Sequence, residues 1–98
     1  MKSISFEWDE KKSQTNFEKH KITFDEAQTV FFDANARMMF DSKHSADEDR
    51  FVLLGLSGAM RVLIVVHCCR GKSEEIIRII SARKATRKEQ KQYESFLL

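Results

Sequence analysis

The spacing of hydrophobic and polar positions changes several times along this chain. Residues 3–8, Ser-Ile-Ser-Phe-Glu-Trp, alternate and predict a short strand. Asp9 suits the N-cap of a helix running to about Lys19. Phe17 is the only large apolar residue of that helix, so it packs lightly and shows much polar surface. Thr23-Phe24-Asp25-Glu26 reads as a capping box: Thr23 accepts from the Glu26 amide, and the Glu26 carboxylate reaches back to the Thr23 amide. Phe24, Ala27, Val30 and Phe31 follow at helical spacing, and Asp33 to Asn35 end this second helix.

After Asn35 the pattern turns to strands, expected at residues 36–41, 50–56, 61–69 and 75–82. Between the first two lies a polar loop, 42–49, that holds His44. Turns are expected around Gly58 and at Arg70-Gly71-Lys72. Val62, Leu63, Ile64, Val65 and Val66 are continuous and mostly β-branched, the pattern of a central strand covered on both faces. Short connections favour antiparallel hairpins. Thr86-Arg87-Lys88-Glu89 is a second capping box, opening a final helix to about Phe96, with Ala85, Tyr93, Phe96 and Leu97 available for an apolar face. The expected architecture is a single α+β domain over residues 1–98. It has two N-terminal helices, an antiparallel sheet of about four strands and a C-terminal helix.

Composition narrows the class. A chain of 98 residues makes one domain with a modest core. Its 42% hydrophobic content excludes wholesale disorder, and no apolar run approaches the roughly 18–20 residues of a membrane span. The first residues lack the apolar region of a signal peptide, so a soluble, cytoplasmic protein with no membrane partner is expected. Cys68 and Cys69 are adjacent in a strand and point to opposite faces, which excludes a disulfide between them and fits two small buried hydrophobes. Residues 1–50 carry 8 Lys/Arg against 11 Asp/Glu, whereas residues 51–98 carry 9 against 4. The basic C-terminal half points to a polyanion or an acidic protein partner.

The enzymatic templates leave little. There is no Gly-rich phosphate loop and no zinc-binding His-Glu-x-x-His, and His20, His44 and His67 are scattered, so no metal or other cofactor is expected. A His67-Cys68 nucleophilic pair is disfavoured because strand neighbours face oppositely. What remains is positive charge inside structured elements. Arg61 opens the central strand, Arg78 lies between two isoleucines, and Arg83 and Lys84 sit where the last strand meets the last helix. Three arginines at such positions suit either a phosphate site or ion pairs with the acidic first half. His20, between Lys19 and Lys21, is the best acid–base candidate, with Lys12 eight residues before it; the competing reading is simple dipole placement at a helix end. His44 reads as solvated or bonded within its loop, and His67 as packed. Lys84, Arg87, Lys88 and Lys91 share one helical face, either a solvated stripe or a contact for RNA backbone or an acidic partner. Trp8 or Tyr93 can stack on an unpaired base, although Trp8 suits the core better.

Read in order, several short motifs resemble BrnT-type toxins. They are Phe6-x-Trp8-Asp9-x-x-Lys12, Asn16-x-x-Lys19-His20, Phe24-x-Glu26-Ala27, His44-Ser45-x-x-Glu48-x-Arg50, Gly55-x-Ser57, Arg61-Val62-Leu63 and the run from Arg78 to Ala85 with Glu89 and Tyr93. The resemblance implies a RelE-like fold and a ribonuclease toxin of a type II toxin–antitoxin module that arrests translation. It also implies a cognate ribbon–helix–helix antitoxin, with promoter DNA bound only through that antitoxin. Such an enzyme activates a 2′-OH to attack the adjacent phosphate and needs a base, an acid and cations. The expected catalytic set is His20, Lys12, Arg61, Arg78 and Arg83, with RNA held by Lys84, Arg87, Lys88, Lys91 and Tyr93. Two positions depart from the family pattern: Lys21 where members often have Gly, and Ala34 where they often have Pro. The alternative is a non-enzymatic basic module that binds RNA, ribosome or a protein. A DNA-binding antitoxin is a third reading, weakened by the lack of a helix-turn-helix or ribbon–helix–helix pattern.

Overall fold

Caps set the helices. In the computed structural model, which describes residues 3–97, the Asp9 carboxylate accepts from the amides of Lys11 (2.8 Å) and Lys12 (3.3 Å) and opens α1, Glu10–His20. Thr23 accepts from the Glu26 amide (3.0 Å) at the start of α2, Phe24–Thr29, which tightens into a 3₁₀ turn over Val30–Phe32. The expected return bond from Glu26 is not made. Its carboxylate is taken instead by Ser57 and by the guanidinium of Arg61, a charged donor that outcompetes a backbone amide. The second box is complete: the Glu89 amide donates to Thr86 and the Thr86 amide donates to the Glu89 carboxylate, opening α3, Arg87–Glu94.

The strands are β1 Ser5–Glu7, β2 Arg37–Phe40, β3 Arg50–Leu56, β4 Val62–Arg70 and β5 Ile76–Lys84, in the order β1-β5-β4-β3-β2. Four of them form the expected antiparallel meander. The fifth is a correction: β1 pairs parallel with β5, from Ser5 opposite Ile76 to Glu7 opposite Arg78, so the sheet is five-stranded and mixed. β4 lies at the centre and is covered on both faces. Leu63 and Val65 join Ile22, Phe24, Ala27 and Val30 beneath α2, while Ile64 joins Leu54, Ala85 and Tyr93 beneath α3.

One irregularity decides which residues share a face. Val66 pairs with Ser81, but His67 pairs with Ile79, so Ile80 is an extra residue in β5. Ile77 and Ile79 therefore enter the α2-side core, while Arg78, Ser81 and Arg83 all lie on the α3 side of the sheet.

β1 ends opposite Arg78, which leaves the outer edge of β5 without a strand partner further along. α1 covers that edge through a single side chain. Asn16 Nδ2 donates to the carbonyls of Ala82 (2.8 Å) and Ile22 (3.0 Å), and its Oδ1 accepts from the Ala82 amide (3.0 Å). A carboxamide thus replaces a missing strand and satisfies backbone that would otherwise be orphaned. Asn16 is the buried residue of α1, and Phe17 stays 46% exposed with the Lys21 ammonium near its ring, so the helix does pack lightly.

Candidate functional site

Lys11, Lys12, Thr15, Lys19 and His20 of α1 face Ile80 and Ser81 of β5 across an open groove of about 290 Å³. No acidic side chain lines it. Two turns of helix bring His20 to the same groove as Lys12, the i, i+8 relation that the sequence suggests. His20 also occupies the last turn of α1 beside Lys19, where the helix dipole favours positive charge.

The three arginines do not converge. Arg61 Nε donates to Glu26 Oε2 (2.9 Å), with a second bond from its Nη2 to Oε1, while Ser57 donates to Oε2 at 2.7 Å. The Arg61 guanidinium is the main reason the Glu26 carboxyl lies below its ordinary range. Arg78 donates to Glu7 of β1 (2.8 Å). Arg83 makes two bonds to Glu89 of α3 (2.8 and 3.0 Å), and this guanidinium first, with help from Thr86, draws the Glu89 carboxyl down to about 2. The hairpin does bring the start of β4 and the end of β5 together. Strand alternation then sends Arg83 toward α3, whereas Arg61 turns toward α2. The residue that shares a cavity with Arg61 is Lys84, along with Met60, Val62 and Gln90.

On α3, Arg87, Lys88 and Lys91 are exposed. Tyr93 is not available to stack on a base. It is 3% exposed, packs with Leu54, Ile64 and Ala85, and donates its hydroxyl to Asp33 at 2.6 Å. Burial, then the Asp33 contact, pushes the phenol up to about 12. Asp33 also accepts from the amides of Leu56 (2.8 Å) and Asn35 (3.0 Å), so it ties α3 and β3 to the turn after α2. Trp8 packs edge-on against Phe24 (6.0 Å), its indole N–H donating to Glu10. His67 is buried between Phe31 and Phe51, and burial lowers its pKa. Cys68 is buried and Cys69 half-buried, on opposite sides of β4, and both are free thiols.

Sequence reasoning missed a second cluster. Register places Arg50 opposite Cys68, and Cys68 opposite Arg78, all on the α3 side of the sheet. α3 covers only the Leu54–Ile64 part of that side. Arg70, two residues beyond Cys68, adds a third arginine and pairs with Glu48 (3.2 Å). At the edge of this open area, His44 Nδ1 lies 2.9 Å from Asp41 Oδ2. Pairing register is the signal for the strand members of this grouping, and it needs both strand ends and the Ile80 bulge to be right. The spacing His44-Ser45-x-x-Glu48-x-Arg50 held its loop members in plain view.

A family model described as the ribonuclease toxin BrnT of a type II toxin–antitoxin system matches residues 8–89. The chain belongs to the BrnT family. A crystal structure of the Brucella abortus ribonuclease toxin BrnT is similar throughout, with a TM-score of 0.67 and 25% identity, covering 87% of this chain and 100% of that one. No curated protein sequence matches. BrnT membership makes this chain a ribonuclease toxin with an RNA substrate and a cognate antitoxin. It also gives meaning to the departure at Lys21. That residue ends α1 in the left-handed region, φ 59°, its amide bonded to Phe17 O (2.8 Å), a conformation glycine adopts without strain.

Proposed function

We propose that this BrnT toxin is a RelE-like endoribonuclease that cleaves RNA without a metal ion and so arrests translation. A ribbon–helix–helix antitoxin neutralises it, and the pair reaches promoter DNA only through that antitoxin. The basic α1–β5 groove carries the reading. Lys11, Lys12 and Lys19 line it with His20 and no carboxylate, which suits a run of phosphates. The groove opens along β5 at Ser81, on the same side of the sheet as Arg78 and Arg50, so an RNA strand leaving it continues onto a face that carries further arginines. Lys84, Arg87, Lys88 and Lys91 extend the positive surface at the α3 end. In this reading Arg61 and Arg83 hold the fold through their carboxylates, and Arg78 alone of the three stands on the open face.

A non-enzymatic interaction module is favoured by a different observation: the edge strand β2 exposes Met38, Met39 and Phe40. Induced expression with and without the antitoxin gene separates the two. The ribonuclease reading expects growth arrest with loss of RNA integrity, relieved by the antitoxin. Arrest with intact RNA would support the interaction module instead.

A further inference from the structure

The groove offers charge but no built acid–base pair, whereas the loop between β2 and β3 offers both. We propose that Asp41, His44 and Arg50 form the proton-transfer and phosphate-gripping centre of this toxin, with His44 rather than His20 as the base. The inference rests on the ribonuclease reading above and assigns its chemistry to particular atoms.

The loop is held in place. Asp41 sits opposite Arg50 at the strand ends, its amide donating to the Arg50 carbonyl at 2.8 Å. The Ser45 hydroxyl donates to the Asp41 carbonyl and accepts from the Arg50 amide, closing the 3₁₀ turn Ser42–His44 between them. These bonds fix both partners of the His44–Asp41 contact. Partial burial pushes the Asp41 carboxyl up, but the His44 ring and the amides of Lys43 and His44 outweigh it and hold it below its ordinary value. An ionised Asp41 only accepts, so the His44 Nδ1 carries the hydrogen and donates. In the neutral ring Nε2 is then left as a proton acceptor, the tautomer a general base needs. The His44 side chain is 66% exposed, open to a substrate.

Arg50 lines the same cavity, with Ala46, Asp47 and Glu48. Its Nε is buried and has no hydrogen-bond partner. A buried guanidinium N–H left unpaired is costly, and an anion that reaches it removes that cost. The neighbouring cations are already engaged, Arg70 with Glu48 and Arg78 with Glu7. Of these three arginines, Arg50 is the one without a carboxylate partner among the described residues, and its unpaired N–H lies beside the His44–Asp41 pair. Asp41, Asp47 and Glu48 are the acidic groups around it, and a phosphate is drawn here by directed hydrogen bonds more than by net charge.

The step balances as follows. His44 Nε2 takes the 2′-OH proton, O2′ bonds to phosphorus and the P–O5′ bond breaks with its electron pair on O5′. Water protonates that oxygen and the imidazolium returns a proton to solvent. The products are a 2′,3′-cyclic phosphate and a 5′-hydroxyl. Arg50 holds the non-bridging oxygens as charge builds on them.

The test uses the purified full chain and a single-stranded RNA oligonucleotide. His44→Gly should lower turnover by roughly 10²–10⁴ with an unchanged circular dichroism spectrum, and added imidazole should restore part of it. Arg50→Gln should lower turnover by roughly 10²–10³. Full activity in folded His44→Gly, with loss of turnover in His20→Gly rescued by imidazole, overturns the assignment and leaves the ribonuclease reading intact. If the wild-type chain cleaves no RNA, that reading fails, and titration with inorganic phosphate decides the site alone. Shifted NMR signals of the His44 ring and Arg50 Nε support it; signals that do not move overturn it. A variant that fails to fold passes the decision to the same phosphate titration of the wild-type chain.

Discussion

The two ends of the sheet treat the same residue types differently. Where β4 begins and β5 ends, both arginines have a carboxylate: Arg61 with Glu26, and Arg83 with Glu89. The Tyr93 hydroxyl finds Asp33 there, and α3 covers the area. Where β3 begins and β4 ends, α3 does not cover the face, Arg50 keeps an unpaired buried donor and His44 is exposed. An arginine on a strand thus says little by itself. What distinguishes a cross-link from a site is whether another element supplies an acid, and only the folded arrangement shows that. The first end is built for stability and the second has polar groups still to be satisfied.

The largest effect should come at the closed end. Asp33→Ala leaves the Leu56 amide and the Tyr93 hydroxyl without their acceptor and should cost about 2–4 kcal/mol, read as a fall in the urea midpoint and a Tm lower by roughly 10 °C or more. An unchanged midpoint would show that the two ends differ less than their hydrogen bonds suggest.

Next is Arg61→Ala, which strands the half-buried Glu26 carboxylate and should cost about 1–3 kcal/mol. If the folded variant kept its stability yet lost RNA cleavage 100-fold, Arg61 would belong with the open end. Arg83→Ala sets the same contest on a more exposed pair.

Acid should loosen the closed end. The folded Glu89 carboxyl titrates at about 2 and its unfolded counterpart near 4.5, so its contribution is complete above about pH 5 and disappears as pH falls toward 2. With the pair partly exposed, that contribution is about 1 kcal/mol after screening. The Asp33 carboxyl, held low by the Leu56 and Tyr93 donors against its burial, acts in the same direction. His67, whose pKa burial lowers, adds a loss that starts as pH drops below about 6.5. Denaturant melts across pH 2–7 check the sum, and Glu89→Gln should flatten the lower part of the curve.

At the groove the expectation inverts. Lys12→Gln with Lys19→Gln should change stability by less than about 0.5 kcal/mol, because both are exposed. The same pair should weaken RNA binding and cut the salt dependence by roughly 0.7 per lost phosphate contact. Equal RNA affinity at every salt concentration would remove the groove from the interface. One change should be a gain: Lys21→Gly relieves a left-handed φ of 59° and should stabilise the chain by about 1 kcal/mol in the same melts.

Much of the fold was legible because local chemistry agreed with the tertiary result. The boundaries of β3, the complete box at Thr86–Glu89 and the doubly covered β4 all follow from residues close in sequence. What was not legible depends on long-range pairing. β1 joins β5 across 71 positions, and three alternating residues give no hint of a parallel partner. Asn16 reads as an ordinary polar helix residue until an unpaired strand edge comes beside it. Glu26 completes a capping box on paper, but Arg61 lies far away in sequence and wins its carboxylate. Tyr93 reads equally as a stacking ring or a core ring, and Asp33 decides for the core. Of the expected site residues, Lys12 and His20 meet in one groove, whereas the three arginines separate because the direction of each follows from strand parity and a one-residue bulge.

The central claim is that this BrnT toxin cuts RNA with its own side chains. Purified protein, freed of antitoxin, should be incubated with a single-stranded RNA in excess EDTA and the products analysed at both ends. The account predicts cleavage at an undiminished rate, leaving 2′,3′-cyclic phosphate and 5′-hydroxyl termini. Cleavage that appears only on adding a divalent ion, or products bearing 5′-phosphate, would contradict it.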